Sequence, residues 1–440
     1  MPTDPAPTAL PGRALEWFAP ARLGPSFRWL LGGAYAANLA DGIVLAAGPL
    51  LVASLTDSAL LVAAAPMMNR LPWLVLGLGV GALADRWDRR RMTIAGDLSR
   101  VVVLALLVAT LLSGHATIGL VLAVMLLLGV AEVVTDSAGM TLLPSLVGRQ
   151  ELVLGNSRMM GTALVGNQLV GPALGAGLFA LGSVWAFSTG MLLIALAAAC
   201  VTRIVLPSHP ATEVDDDRDG TPARRSVHAD VVEGLVWLRH NPAVRTLVLT
   251  ILTFNITWAM GWGVLVLWAQ QRLGLGAVGF GLLTTASAVG GIIAVLAFDR
   301  LAARYALSTL MRVCLTLEVL WHLVMATATW AWVGYAALFG FGLYTFVWGS
   351  TSSAVRQRAT PDHMMGRMSS INLVGLTGGM VVGMPIGGLL ADAFGITAPF
   401  WVGFVGSGLT LVVIWRSLGH IAHVVEPAGP ESGSAPGDAG

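Results

Sequence analysis

Apolar residues run through the chain in long blocks, and short polar breaks separate the blocks at intervals close to the length needed to cross a bilayer. About 20 apolar residues, rising 1.5 Å each, cover the roughly 30 Å hydrocarbon layer. Twelve blocks meet that length, at roughly 29–53, 58–81, 92–113, 116–140, 155–181 and 185–206, then roughly 244–269, 276–298, 307–329, 332–355, 368–393 and 399–418. The pattern predicts an all-α polytopic membrane protein of twelve transmembrane helices, with tails at residues 1–28 and 419–440. Residues 207–243 interrupt it with Asp215-Asp216-Asp217-Arg218-Asp219 and nearby Pro and Gly, a composition that reads as a solvated linker. Within this stretch Val227, Val231, Leu235 and Leu238 recur at helical spacing and predict an amphipathic helix on the membrane surface, ended by Asn241-Pro242.

The two halves repeat one another. Pro172, Gly175, Gly182 and Phe187 align with Pro385, Gly388, Gly395 and Phe400, each displaced by 213 residues. Two six-helix bundles are therefore expected, over residues 29–206 and 244–418. Parallel repeats of this kind place a substrate site between the bundles near the membrane midplane.

Composition agrees with a membrane protein: 56% of residues are hydrophobic and 11% charged, against about 25% charged in soluble domains. A net charge of +1, with the arginines dispersed over many loops, argues against a nucleic-acid partner. Arg86 to Arg91, Arg149, Arg218 to Arg239, Arg300, Arg304, Arg356 and Arg358 fall in loops on one side, while the other side has essentially Arg272 alone. That asymmetry predicts a cytoplasmic-membrane protein with both termini in the cytoplasm. Cys200 and Cys314 lie in apolar blocks without metal-ligand spacing, so no metal site is expected, and no removable signal peptide is visible.

The densest charge cluster is Gly81-Ala82-Leu83-Ala84-Asp85-Arg86-Trp87-Asp88-Arg89-Arg90-Arg91, between the second and third blocks, and Asp299-Arg300 with Arg304 repeats its spacing 214 residues later. This turn resembles the G-x-L-a-D-R-x-x-R-R signature of the major facilitator superfamily. Met159 through Gly177, with Gly171, Pro172 and Gly175, resembles the glycine-proline antiporter motif of that superfamily's drug exporters, although Asn167 stands at one glycine position and Ala176 at another. The chain as a whole is similar to the drug:proton antiporter branch, especially the group holding the enterobactin exporter and macrolide efflux pumps. The resemblance implies that Gly81, Asp85, Arg86, Arg89 and Arg90, with Asp299, Arg300 and Arg304, form a conformational-switch motif. It also implies that the first, fourth, seventh and tenth helices line the cavity.

Ionisable side chains inside membrane helices cost about 2.5–3.5 kcal/mol on insertion scales, so each calls for a partner or a task. Asp41 and Arg70 sit at matching depths of the first and second helices, and two readings stay open: a structural pair, or a carboxylate that carries the coupling proton. Asn38 shares the face of Asp41 and is a candidate for bonding it or a ligand. Glu132 and Asp136 lie on one face in the cytoplasmic third of the fourth helix, as a second acid candidate or a gating network. Glu318 and His322 share a face of the ninth helix, which the resemblance makes peripheral; a structural pair is the favoured reading and a proton relay the alternative. Trp258 with Trp262, and Tyr344 with Trp348, are aromatic pairs suited to an apolar or aromatic substrate, or to core or lipid packing.

The expected function is proton-coupled export of small hydrophobic or amphipathic molecules, drug-, antibiotic- or siderophore-like, by a monomer that needs no cofactor beyond the proton gradient. No phosphate-binding G-x-x-x-x-G-K-[ST] loop is present. An uptake or facilitative transporter of the same fold is the alternative. A membrane sensor or enzyme is a further one, with no nucleophile or His/Cys constellation behind it.

Overall fold

The computed structural model describes residues 19–84, 88–206, 236–361 and 364–423, together with Glu16 and Glu233. Among these, all regular structure is helical, and twelve helices are long and apolar enough to cross a membrane. They are α1 (Gly24–Leu55), α2 (Ala59–Ala84), α3 (Arg89–Leu112), α4 (Ile118–Leu146), α5 (Arg149–Leu181) and α6 (Ser183–Thr202). The second set comprises α7 (Pro242–Gly263), α8 (Ala277–Arg304), α9 (Leu307–Thr327), α10 (Ala331–Ala359), α11 (Met365–Phe394) and α12 (Ala398–His423). Val102, Leu112, Leu296, Val412 and Val413 are exposed, which places large apolar side chains on the outer surface where lipid is the solvent.

Helices α1–α6 pack chiefly on one another, as do α7–α12, and the sets meet along α2 against α11 and α5 against α8. Asp392 of α11 accepts hydrogen bonds from the Ala59 and Leu60 amides, at 2.6 and 3.1 Å, and from Ser58 Oγ at 3.0 Å, so one half supplies the N-terminal cap of a helix in the other. This clasp lies at the end of the molecule opposite the arginine-rich turn. A short helix, Leu265–Leu273, fills the same end; Trp268 is fully buried, donates its indole N–H to the Met325 carbonyl at 3.0 Å and packs on Phe400. At the arginine end, by contrast, Met140, Val153 and Met160 are exposed.

Several boundaries differ from the pattern-based ones. Helix α1 starts at Gly24, and Leu23 and Phe27 are buried with Leu142 and Ile204, so the bundle reaches further toward the N-terminus than residue 29. Helix α12 continues to His423, and α4 continues to Leu146, which moves Glu132 from an end to the middle of its helix. The expected unbroken seventh span ends at Gly263, and the chain restarts as the short helix at Leu265. Of the expected amphipathic helix, residues 227–232, 234 and 235 lie outside the described residues, as do the linker residues 207–226. Residues 236–240 are helical, and Leu238 packs with Val244, Val248, Met368 and Ile371.

The fifth span is not uniform. Between α-helical Leu152–Thr162 and Gly171–Leu181 it widens into a π-helical stretch, Ala163–Val170, in which the Gly171 amide reaches back to the Gly166 carbonyl. Pro172 has no N–H to donate and its ring opposes the preceding turn, which favours a local register shift of this kind. Gly42 and Gly171 face each other there. A Cβ on Gly171 would stand 2.6 Å from Gly42 Cα, so the close approach of α1 and α5 needs glycine.

Candidate functional site

Four helices of the first half bring a polar cluster together, in which Asp97 and Arg100 are buried and Asp136 is exposed to the cleft. Helix α1 supplies Asp41, α2 Asn69 and Arg70, α3 Asp97 and Arg100, and α4 Glu132 and Asp136. Gly129 makes the packing possible, because a Cβ there would fall 2.3 Å from the Asn69 carbonyl oxygen. The approach lets Asn69 Nδ2 donate to Glu132 Oε2 at 3.2 Å.

The partner of Asp41 is Arg100. Arg100 Nη2 donates directly to Asp41 Oδ1, and its Nη1 lies 3.5 Å from Asp97 Oδ1. The expected Asp41–Arg70 pair does not form, because matching depth does not set which way the side chains point around their helices. Arg70 instead lines both the polar cleft that holds Asp41, Arg100 and Glu132 and the central cavity between the halves. Asp97 and Arg100 escaped the pattern reading because they sit close behind the arginine-rich turn and look like its continuation. Their i, i+3 spacing in an apolar helix was the available signal. Asn38 does not bond Asp41; its Nδ2 donates to the Ala34 carbonyl at 2.8 Å and approaches Thr162 Oγ1 at 3.3 Å.

Asp136 differs from its neighbours. It interacts electrostatically with Glu132, Arg100 and Arg70, yet forms no hydrogen bond or ion pair with any described residue. With Asp41, Asp97 and Asn38 it lines a cleft of about 340 Å³ between α1, α3, α4 and α5 on the arginine side. The cluster thus holds four carboxyl groups against two guanidinium groups.

The central cavity, about 320 Å³, is lined by Arg70, Asn167 and Gln168 on one side and by Trp258, Trp262, Phe341 and Met384 on the other. Trp258 and Phe341 stack with centroids 5.9 Å apart and planes 5° from parallel, and Trp262 lies 5.2 Å from Trp258. Asn167 and Gln168 belong to the π-helical stretch, and Pro172 also lines the cavity. Trp348 lines a second cavity of about 450 Å³ in the other half, with Trp258, Phe341 and Glu318. Tyr344 does not face the substrate space. It is buried, and its hydroxyl donates to Glu318 Oε2 at 2.7 Å.

Of the switch motif, Asp85 and Arg86 lie outside the described residues, and Gly81 is in the last turn of α2. Asp88 caps α3 by accepting from the Arg90 and Arg91 amides at 3.0 and 3.1 Å. Arg89 donates to the Thr141 carbonyl near the end of α4, and Arg90 to the Val201 and Thr202 carbonyls at the end of α6, where a cation complements the helix dipole. Asp299, Arg300 and Arg304 are exposed in the last turns of α8.

A model of one family, described as transmembrane secretion effector, matches residues 16–423. The chain belongs to that family. It is a major facilitator transporter and not an enzyme, and its twelve helices make it a multi-pass membrane protein. The multidrug efflux pump Tap of Mycolicibacterium fortuitum is 28% identical to this family member over 394 residues, covering 84% of this chain and 90% of Tap. Among solved structures, the nucleoside transporter NupG matches with a TM-score of 0.68 and 12% identity, over 90% of this chain and 98% of NupG. A bacterial homologue of the iron transporter ferroportin, in its inward-facing state, matches with a TM-score of 0.66 and 18% identity over 89% and 98% of the two chains. At such identities the last two show the fold alone.

Proposed function

We propose that this transporter exports small hydrophobic or amphipathic molecules across the cell membrane by proton antiport, as a monomer with both termini in the cytoplasm. The carrying observation is the imbalance beside the aromatic cavity: four carboxyl groups and two guanidinium groups share one cluster within the membrane helices, and Arg70 borders both cluster and cavity. Two ionised carboxylates in excess would be costly in hydrocarbon, so the cluster favours bound protons. Asp136 is the best carrier, because Asp41 is tied to Arg100 whereas Asp136 has no direct partner among the described residues. The resemblance to Tap supports the outward direction, and stacked Trp258 and Phe341 suit flat apolar substrates.

With the arginine end in the cytoplasm, the conformation described is open inward, and alternating access proceeds by rocking of one half against the other. Reconstituted vesicles with an imposed pH gradient test the reading. Accumulation of an apolar fluorescent drug against its gradient, coupled to proton movement, is expected, and Asp136→Asn should abolish uphill movement while leaving passive exchange. Uphill transport by folded Asp136→Asn protein at the parent's rate would remove the carrier assignment. Accumulation in the uptake direction would favour the alternative, an uptake transporter of the same fold.

A further inference from the structure

The outer surface of the second half carries a concave apolar slot of about 500 Å³ between α8, α9 and α10. Glycines set its shape. Gly290 and Gly342 let α8 and α10 cross backbone to backbone, since a Cβ on Gly342 would overlap the Ser287 carbonyl oxygen. On the other side α9 is drawn toward α12, where Gly403 lies against the His322 ring. Helices α8 and α9, joined by Tyr305 and Ala306 alone, therefore both pack on α10 but scarcely on each other. The gap between them stays open to the lipid side.

Its walls are apolar. On α9, Leu310, Val313, Leu317, Leu320 and Val324 recur at steps of three and four residues along one face, a row roughly 21 Å long at 1.5 Å per residue. Half of the hydrocarbon layer is about 15 Å, so the slot can take an extended chain through one leaflet and past the midplane. Gly340 belongs to the floor, and a Cβ there would meet no atom within 4 Å, so the floor is open at that point. Phe341 stands between the slot and the central cavity, its ring 5.2 Å from Trp321 of α9 and stacked on Trp258.

At the arginine end the chemistry changes. Arg304 follows Ala297 and Leu301 of the slot wall at i, i+4 and i+7, and Arg300 comes three residues after Ala297, so both cations stand at the mouth on or beside the lining face. Both are exposed, and neither forms an ion pair with a described residue; the Arg304 guanidinium lies 5.9 Å over the Tyr305 ring. Exposed Asp299 is the acid beside them, which leaves this corner with an excess of positive charge. We propose that the slot binds an anionic phospholipid of the leaflet at the arginine end, with one acyl chain along α9 and the phosphate at Arg300 and Arg304. Basic residues at the mouth of a gap between membrane helices select anionic headgroups, and the apolar walls hold the chain. A lipid bound this way backs the aromatic wall of the central cavity through Phe341. The site is independent of the direction of transport and of its coupling ion.

Phosphatidylglycerol and phosphatidylcholine with the same acyl chains are titrated into delipidated full-length protein in detergent, and bound lipid is counted by native mass spectrometry. Each arginine near an anionic headgroup is worth roughly fivefold in affinity, so the parent should retain phosphatidylglycerol about tenfold or more over phosphatidylcholine, and Arg300→Gln with Arg304→Gln should bring the two within about twofold. Gly340→Leu, which fills the floor, should lower phosphatidylglycerol retention to a similar extent although both arginines remain. Equal retention of the two lipids by the parent means annular lipid only and overturns the proposal, as does unchanged selectivity in the arginine variant. Parent-like retention in Gly340→Leu also overturns it, because the headgroup then binds without the slot. If Gly340→Leu instead lowers binding of an apolar fluorescent drug, or removes a dimer peak, with lipid retention unmoved, the slot belongs to cargo or to a second copy and the inference falls. Should Gly340→Leu fail to fold, Leu317→Trp on the exposed rim obstructs the slot from α9, and the same loss of retention is required of it.

Discussion

Arg100 is the most constrained side chain of the candidate site: 4% exposed, it holds Asp41 directly and approaches Asp97. Removing one member of such a group strands the others. Arg100→Leu should therefore destabilise the protein by about 3–5 kcal/mol, read as a lowered midpoint of thermal unfolding in detergent. Adding Asp41→Asn and Asp97→Asn to that background should recover much of the loss, since neither carboxylate that Arg100 holds is then left stranded. An Arg100→Leu protein as stable as the parent would show that the pair contributes nothing net. Asp41 was visible in the sequence as an intramembrane acid, but its partner was not. Depth along a helix follows from counting residues, whereas azimuth depends on how neighbours pack, and Asp41 meets α3 instead of α2.

The helices themselves were largely legible, because a 20-residue apolar block admits few structures in a bilayer. What the pattern missed lies where local chemistry overrides periodicity: the break after Gly263 and the π-helical Ala163–Val170. A Gly-Pro step announced a disturbance in α5, though not that Asn167 and Gln168 would be turned onto the cavity wall. Replacing Pro172 restores an amide able to bond the Gln168 carbonyl. Pro172→Ala should draw the stretch back toward regular α-helix, rotate those two amides and change substrate KM at least several-fold with little loss of stability, measurable by transport kinetics beside thermal unfolding. Gly171→Ala should act differently. Its methyl meets Gly42 backbone, so a cost of about 1–3 kcal/mol is expected from overpacking at the α1–α5 crossing, again in the unfolding midpoint.

For the whole molecule, the internal repeat and the arginine distribution are signals that integrate over many residues, whereas a side-chain pairing depends on how two helices pack locally. Orientation is checked with a cysteine introduced at Asp216, in the linker outside the described residues. The native Cys200 and Cys314 are buried, so an impermeant thiol reagent reports on the new one. No labelling of intact cells and full labelling after permeabilisation are expected. The Asp392 clasp has a further consequence. It ties the two halves by hydrogen bonds to the start of α2, so it exists only while that end is shut. A helix cap of this type is worth about 1 kcal/mol, several-fold in an equilibrium constant. Asp392→Ala should shift the resting population toward the conformer shut at the arginine end by that factor, seen as a changed distribution in double electron–electron resonance. The carboxylate would then act as a thermostat for occupancy: it sets how often the empty transporter samples its other face, and so how much of the time it idles without cargo.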